Sequence, residues 1–198
     1  MSGYRRPEPA SQFEQLTPLL AQVSTPVQYV GGEINAQHKA WDDARVHWAL
    51  LFPDTYGVGQ PNQGMAILYE VLNELDWASA ERSFSVWPDL ERLMRAKGVG
   101  QFTLESDRRV SGYDVIGVSL STELSYTNLL NALDLAGLPI HAAERDDDAP
   151  LVVVGGHCAF NPEPIADFVD VVVLGDGEEA SLELSRIVRD WLDEGRPG

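Results

Sequence analysis

"PLVVVGGHCAFNPEPIADFVDVVVLGDGEE", residues 150–179, holds two apolar runs, each ending in glycine, with a proline-rich crossing between them. Short β-branched runs bounded by glycine and proline read as strands, and runs without polar alternation suit strands covered on both faces. Working outward, DVIGVSLS (114–121) and VHWALLF (46–52) have the same character, and SFSVW (83–87) is a shorter strand. Helix-period segments lie between and after them. GMAILYEVLNEL (64–75) sets Met65, Ile67, Leu68, Val71, Leu72 and Leu75 on one stripe. PDLERLMRAKG (88–98) opens on Pro88 and closes on Gly98, SYTNLLNALDLAG (125–137) stops at Gly137, and EEASLELSRIVRDWLDE (178–194) is amphipathic. Strands alternating with helices predict an α/β fold, a doubly wound and mainly parallel five-stranded sheet of flavodoxin-like type in order 2-1-3-4-5.

Ahead of this domain, SQFEQLTPLLAQV (11–23) has helical spacing, with Pro18 a potential point of breakage or kinking, and YVGGEINAQHK (29–39) reads as a loop. The predicted organisation is an N-terminal helical arm and loop over 1–44 and the α/β domain over 45–198. A short extended FTLES lies within the latter.

The 198 residues carry 14 basic and 31 acidic side chains, a net charge of −17, which repels phosphate backbones and anionic membranes. Direct nucleic-acid binding is therefore not expected. No apolar run approaches the roughly 18 residues of a spanning helix, and the first residues lack the features of an export signal, so a cytoplasmic protein without a membrane partner is expected. The single cysteine, Cys158, excludes an internal disulfide and any cysteine-rich metal or iron–sulfur site built by this chain alone. ERDDDAP (144–150) reads as a solvated loop, because it lacks the alternating ligands of a calcium loop. No catalytic residue and no metal ligand set is predicted.

In doubly wound folds ligands bind beyond the carboxyl ends of the strands. The loop after the first strand carries Tyr56, Gly57, Gly59 and Gly64, a spacing that matches neither a dinucleotide fingerprint nor a P-loop. Its glycines serve either a turn or close backbone approach to a ligand, and Asp54 and Asn62 are polar groups available to the rim. Ser119, Ser121, Thr122 and Glu123 either bond a ligand or cap the following helix. Gly155 and Gly156 free a strand end of side-chain bulk, with His157 and Cys158 beside it as a candidate contact pair. Gly175 and Gly177 permit a tight turn, and Glu178 and Glu179 complement a helix dipole. The candidate cofactor-contact residues are Tyr56, Gly57, Gly59, Ser119, Ser121, Gly155, Gly156 and Gly175.

The stretch GGHCAFNPEPIADFVDVVVLGDGEE resembles the end of the cobalamin-binding-type domain that precedes the catalytic barrel in many radical SAM proteins. With YVGGEIN, LFPDTYGVGQPNQGMAILYEVLN, FTLES and ELSYTNLLNALDLAG, the chain from about Tyr29 onward is similar to the N-terminal cobalamin (B12)-binding-like domain of an uncharacterised bacterial family of radical SAM proteins. Gly155 and Gly156 match that domain's Gly-Gly, and Ser119-Leu120-Ser121 approximates its Ser-x-Leu. The Asp-x-His-x-x-Gly that supplies a histidine to cobalt in methionine synthase-like domains is missing, and His38, His47, His141 and His157 all fail that pattern. The resemblance implies an accessory domain that holds cobalamin or shapes the substrate entrance. It implies catalysis in a barrel, in cis or in trans, that holds the [4Fe–4S] cluster and S-adenosylmethionine. One cysteine cannot replace the barrel's three. The alternatives are a cofactor-free interaction module of the same enzyme and an independent flavin- or nucleotide-binding protein.

Overall fold

The computed structural model describes residues 3–196; the outermost two residues at each end of the ranges above lie outside it. Five parallel strands form one sheet in the order β2-β1-β3-β4-β5: β1 (Val46–Thr55), β2 (Ala78–Ser85), β3 (Val115–Ser119), β4 (Leu151–Gly155) and β5 (Val171–Val172). This is the doubly wound α/β arrangement that the alternation of strands and helices implies. The helices are α1 (Phe13–Leu20), α2 (Tyr56–Gly59), α3 (Gln63–Asn73), α4 (Pro88–Lys97), α5 (Tyr126–Ala136) and α6 (Gly177–Asp193).

Alternation along β1 divides the core. Trp48 and Leu50 join a cluster with Met65 and Leu72 of α3 and Val188 and Leu192 of α6, whereas Ala49 and Leu51 join Leu129 and Leu133 of α5. Side chains of a strand point to opposite faces in turn, so α3 and α6 cover one face and α5 the other. Buried Ser185 accepts from the indole nitrogen of Trp48 at 2.9 Å and fastens α6 to its face. Helix ends follow local chemistry. Asn62 Oδ1 accepts from the Met65 amide at 2.9 Å to cap α3, and Gly98 (φ 69°) and Gly137 (φ 79°) end α4 and α5 in the left-handed region.

Several elements differ from their sequence reading. Pro18 lies inside α1 without breaking it. Ile67 sits on the α3 stripe yet is exposed, and Tyr69 is buried in its stead. β5 is only two residues long. Strand β2 begins five residues earlier than SFSVW, because its charged residues are satisfied in place. Glu81 accepts from Thr103 Oγ1 at 2.6 Å and from the Tyr113 hydroxyl at 2.7 Å. Arg82 donates to Glu105 at 2.6 Å and to Glu33 at 3.0 Å. Residues 101–105 run along this edge, where Ser83 Oγ donates to the Phe102 carbonyl at 2.7 Å and the Leu104 amide to the Arg82 carbonyl at 2.8 Å. The edge is thereby shielded from pairing with another chain.

The N-terminal segment is bound to the sheet at one buried carboxylate. Asp114 accepts from Arg6 Nε at 3.0 Å and from both the amide (2.9 Å) and the Nδ1 (3.0 Å) of His47. The His47 ring stacks on Trp41 with centroids 3.6 Å apart. Among the described residues no helix is long and apolar enough to cross a membrane.

Candidate functional site

Strand order reverses between β1, which leads outward to β2, and β3, which leads the opposite way to β4 and β5. A cavity of about 380 Å³ opens there on the α3/α6 face. This lies within the roughly 300–1,000 Å³ usual for small-molecule sites. Its floor is set by register: Gly117 of β3 pairs with Leu50 of β1 on one side and with Val153 of β4 on the other, and Ser119 pairs with Gly155 one row nearer the rim. Leu68 of α3 and Leu184 of α6 are among its walls, and His157, Phe160, Asp176 and Glu178 stand at the mouth.

Two glycines keep this floor low. A Cβ at Gly155 would meet only Val173, at 3.9 Å, so the space above it is open. A Cβ at Gly117 would approach Leu50 and the Trp48 ring to 3.1 Å, so a side chain there would displace the floor itself. The two positions together make a slot beside the sheet, apolar on its walls and polar only where Ser119 and the mouth residues meet it. Of the sequence-predicted contact residues, the structure brings Ser119, Gly155, Gly156 and Gly175 together around this slot.

Gly156 has a second reason to be glycine. Its φ is 100°, and a Cβ there would lie 2.6 Å from the Leu120 carbonyl oxygen, so the backbone crossing itself excludes a side chain.

Tyr56, Gly57, Gly59 and Ser121 do not line the slot. Gly59 is a packing position, where a Cβ would fall 2.6 Å from the Phe84 ring. The Tyr56 ring meets Phe84 edge-on at 5.5 Å, and its hydroxyl faces Glu33. Burial, with the Glu33 hydrogen bond and charge, pushes the Tyr56 phenol up. Gly57 and Ser121 are exposed. Asn62 is used as the α3 cap, and Thr122 accepts from the Leu124 amide at 3.3 Å. His157 and Cys158 part company: His157 lines the slot, whereas Cys158 packs with the cluster on the α5 face.

Gly117 and Phe160 line the slot without having been marked by sequence reasoning. The signal for Gly117 was present, since an isolated glycine inside an apolar strand marks close approach to the sheet. Phe160 had no comparable signal.

Electrostatics discriminate among ligands. The N-terminus of α6 reaches the mouth, but Asp176, Glu178 and Glu179 surround it. These acids take up the favourable end of the helix dipole and oppose an incoming phosphate. Among the described residues no group of three or more histidine, cysteine or acidic side chains is arranged to hold a metal ion.

The chain is 30% identical over 102 residues to an uncharacterized protein of Methanocaldococcus jannaschii, a match covering 51% of this chain and 21% of that relative. The matched stretch thus spans about a fifth of the relative's length. The sequence model for the N-terminal region of radical SAM proteins matches residues 64–197, a span that includes α3, the glycine floor and α6. On that match, the chain belongs to the family of radical SAM protein N-terminal domains.

Proposed function

We propose that this chain is an accessory domain of a radical SAM enzyme whose switch-point slot holds part of a cobalamin cofactor. Catalysis falls to a separate barrel carrying the [4Fe–4S] cluster and S-adenosylmethionine, joined to this domain in cis or supplied in trans. The observation that carries the reading is the glycine-floored slot, where Gly155 leaves open space in which a side chain would otherwise stand. An apolar, flat-floored recess with few polar groups suits a bulky, largely uncharged ligand. The acids at its mouth weigh more heavily against a nucleotide with two or three phosphates than against cobalamin, which carries a single phosphodiester.

Within this reading each residue has a limited task. Gly117 and Gly155 give access to the sheet, Leu68 and Leu184 exclude water from the bound group, and Ser119 offers a hydroxyl at the strand end. Cobalamin, when bound, would supply methyl-transfer chemistry to the enzyme.

Titration of the purified chain with hydroxocobalamin, followed by visible spectrum and by heat, tests the reading. Saturable binding with a histidine-free spectrum is expected. Gly155→Leu should abolish it while leaving the fold intact, because the backbone there is unstrained and the added side chain enters the slot. Wild-type protein that binds no corrin, alone or with the barrel present, would leave the cofactor-free interaction module as the function.

A further inference from the structure

The five loops that leave the carboxyl ends of the strands share a property that extends beyond the slot, which only Phe160 of the residues concerned lines. Each exposes a large apolar side chain: Val58 after β1 (54% exposed), Trp87 after β2 (48%), Leu124 after β3 (85%), Phe160 after β4 (70%) and Leu174 after β5 (62%). Single exposed apolar residues are ordinary, but one at every loop sets them in a row along the carboxyl edge of the open sheet, and apolar surface concentrated in this way marks interaction surfaces. Val30 (56%) extends it, since neighbouring Tyr29 accepts from the Trp87 amide at 3.1 Å.

Charge is distributed as unevenly. Residues 53–62, 86–87, 120–125, 156–162 and 173–176, the loops of this rim, contain no lysine or arginine, although the chain has 14. They carry Asp54, Glu123 and Asp176, and Glu178 and Glu179 follow in the first turn of α6. Three arginines stand instead at the amino ends of strands. Arg45 directly precedes β1, Arg6 pairs with Asp114 before β3, and Arg145 pairs with Asp170 before β5.

We propose that the carboxyl rim is a docking face for a protein surface with an apolar centre bordered by lysine and arginine. The inference rests on the accessory-domain reading, under which that surface belongs to the radical SAM barrel. A second copy of this chain does not fit, because a two-fold pairing of rims would set the same acids against one another. Nucleic acids and anionic membranes are repelled by the same acids. The aromatic side chains Trp87 and Phe160 are the expected energetic anchors, with the acids setting orientation and association rate.

Amide hydrogen exchange of the 198-residue chain alone, compared with the same residues in the barrel-containing enzyme, both prepared free of cobalamin because Phe160 and Gly175 also line the slot, tests this. Exchange in residues 57–62, 121–125, 157–162 and 173–176 should slow at least tenfold in the enzyme, while residues 142–149 at the opposite end stay unchanged. The paired substitutions Phe160→Ser and Leu174→Ser, both at exposed positions, should return the rim to its free rates. Glu123→Lys with Glu179→Lys should do so in part, and Ile187→Ser on the outer side of α6 should not. Unchanged thermal melts of each variant exclude loss of fold as the cause. Protection of another face with the rim left free would overturn the docking inference alone. Protection of no segment would overturn the accessory-domain reading with it. Sedimentation of the chain alone should give a monomer, and a dimer abolished by Leu174→Ser would show that the occupant is a second copy instead.

Discussion

Asp114→Asn is expected to cost about 3 kcal/mol of folding stability and to loosen the N-terminal segment from the sheet. The carboxylate is buried and takes three hydrogen bonds of 2.9–3.0 Å, from Arg6 Nε and from the amide and Nδ1 of His47. Removing one partner of a buried charge pair typically costs about 3–5 kcal/mol, because the remaining charge is left without compensation. An amide keeps one acceptor for Arg6 but turns an NH₂ group toward the two His47 donors, so the lower end of that range applies. Against a total stability of about 5–15 kcal/mol for a typical domain, this is a large loss.

The same site has a pH signature. Burial alone would raise the Asp114 carboxyl, but the His47 hydrogen bonds and the charges of His47 and Arg6 outweigh it and hold the carboxyl below its ordinary range. Its contribution is therefore fully present above pH about 4 and is lost as pH falls through the lower native value. Urea unfolding of wild type and variant at pH 7 and at steps down to pH 3 measures both effects, and amide exchange of residues 4–9 reports the segment. A loss below about 1 kcal/mol at pH 7, or the same acid slope in both proteins, would refute the claim that this carboxylate is the anchor.

The adjacent glycines give a paired prediction. Gly156→Ala places a Cβ 2.6 Å from a backbone oxygen at φ 100° and should destabilise by about 2 kcal/mol or more, whereas Gly155→Ala should change stability by less than about 0.5 kcal/mol. Equal effects in chemical denaturation would contradict the distinct roles assigned to the two positions. A second pH effect runs the other way. Burial pushes the Glu105 carboxyl up to about 7 despite the opposing pull of Arg82, and burial with the Glu81 charge pushes Asp107 up to about 6. A native value raised above the unfolded one contributes stability that is complete below about pH 4.5 and disappears as pH rises through 6–7, on the order of 3 kcal/mol for Glu105. Glu105→Gln should flatten the urea midpoint across that window, and a wild-type midpoint that climbs from pH 5 to 7 would contradict the assignment.

The strand pattern, the parallel class and the placement of the rim were legible in the chain because they depend on local periodicity. Valine runs ending in glycine can be covered strands and little else, and Gly98 and Gly137 stop helices by their own backbone freedom. Strand β2 was only half visible. ASAERSFS reads as polar until Thr103, Tyr113, Glu33 and Glu105, far along the chain, arrive to satisfy Glu81 and Arg82.

The site divided along the same line. Ser119, Gly155, Gly156 and Gly175 were marked because they end strands, and being at a strand end is a property of sequence. Which of the loop residues share one cavity depended on sheet order, on register and on the face to which each side chain turns. Those decisions sent Gly59 into packing with Phe84, parted His157 from Cys158, and brought Gly117 opposite Leu50 and Val153. What the sequence alone determined was therefore the set of strand ends at which a ligand can approach. The tertiary structure alone decided the slot and the acidic, apolar rim around it, because both arise from residues distant in the chain that meet only when the sheet is assembled.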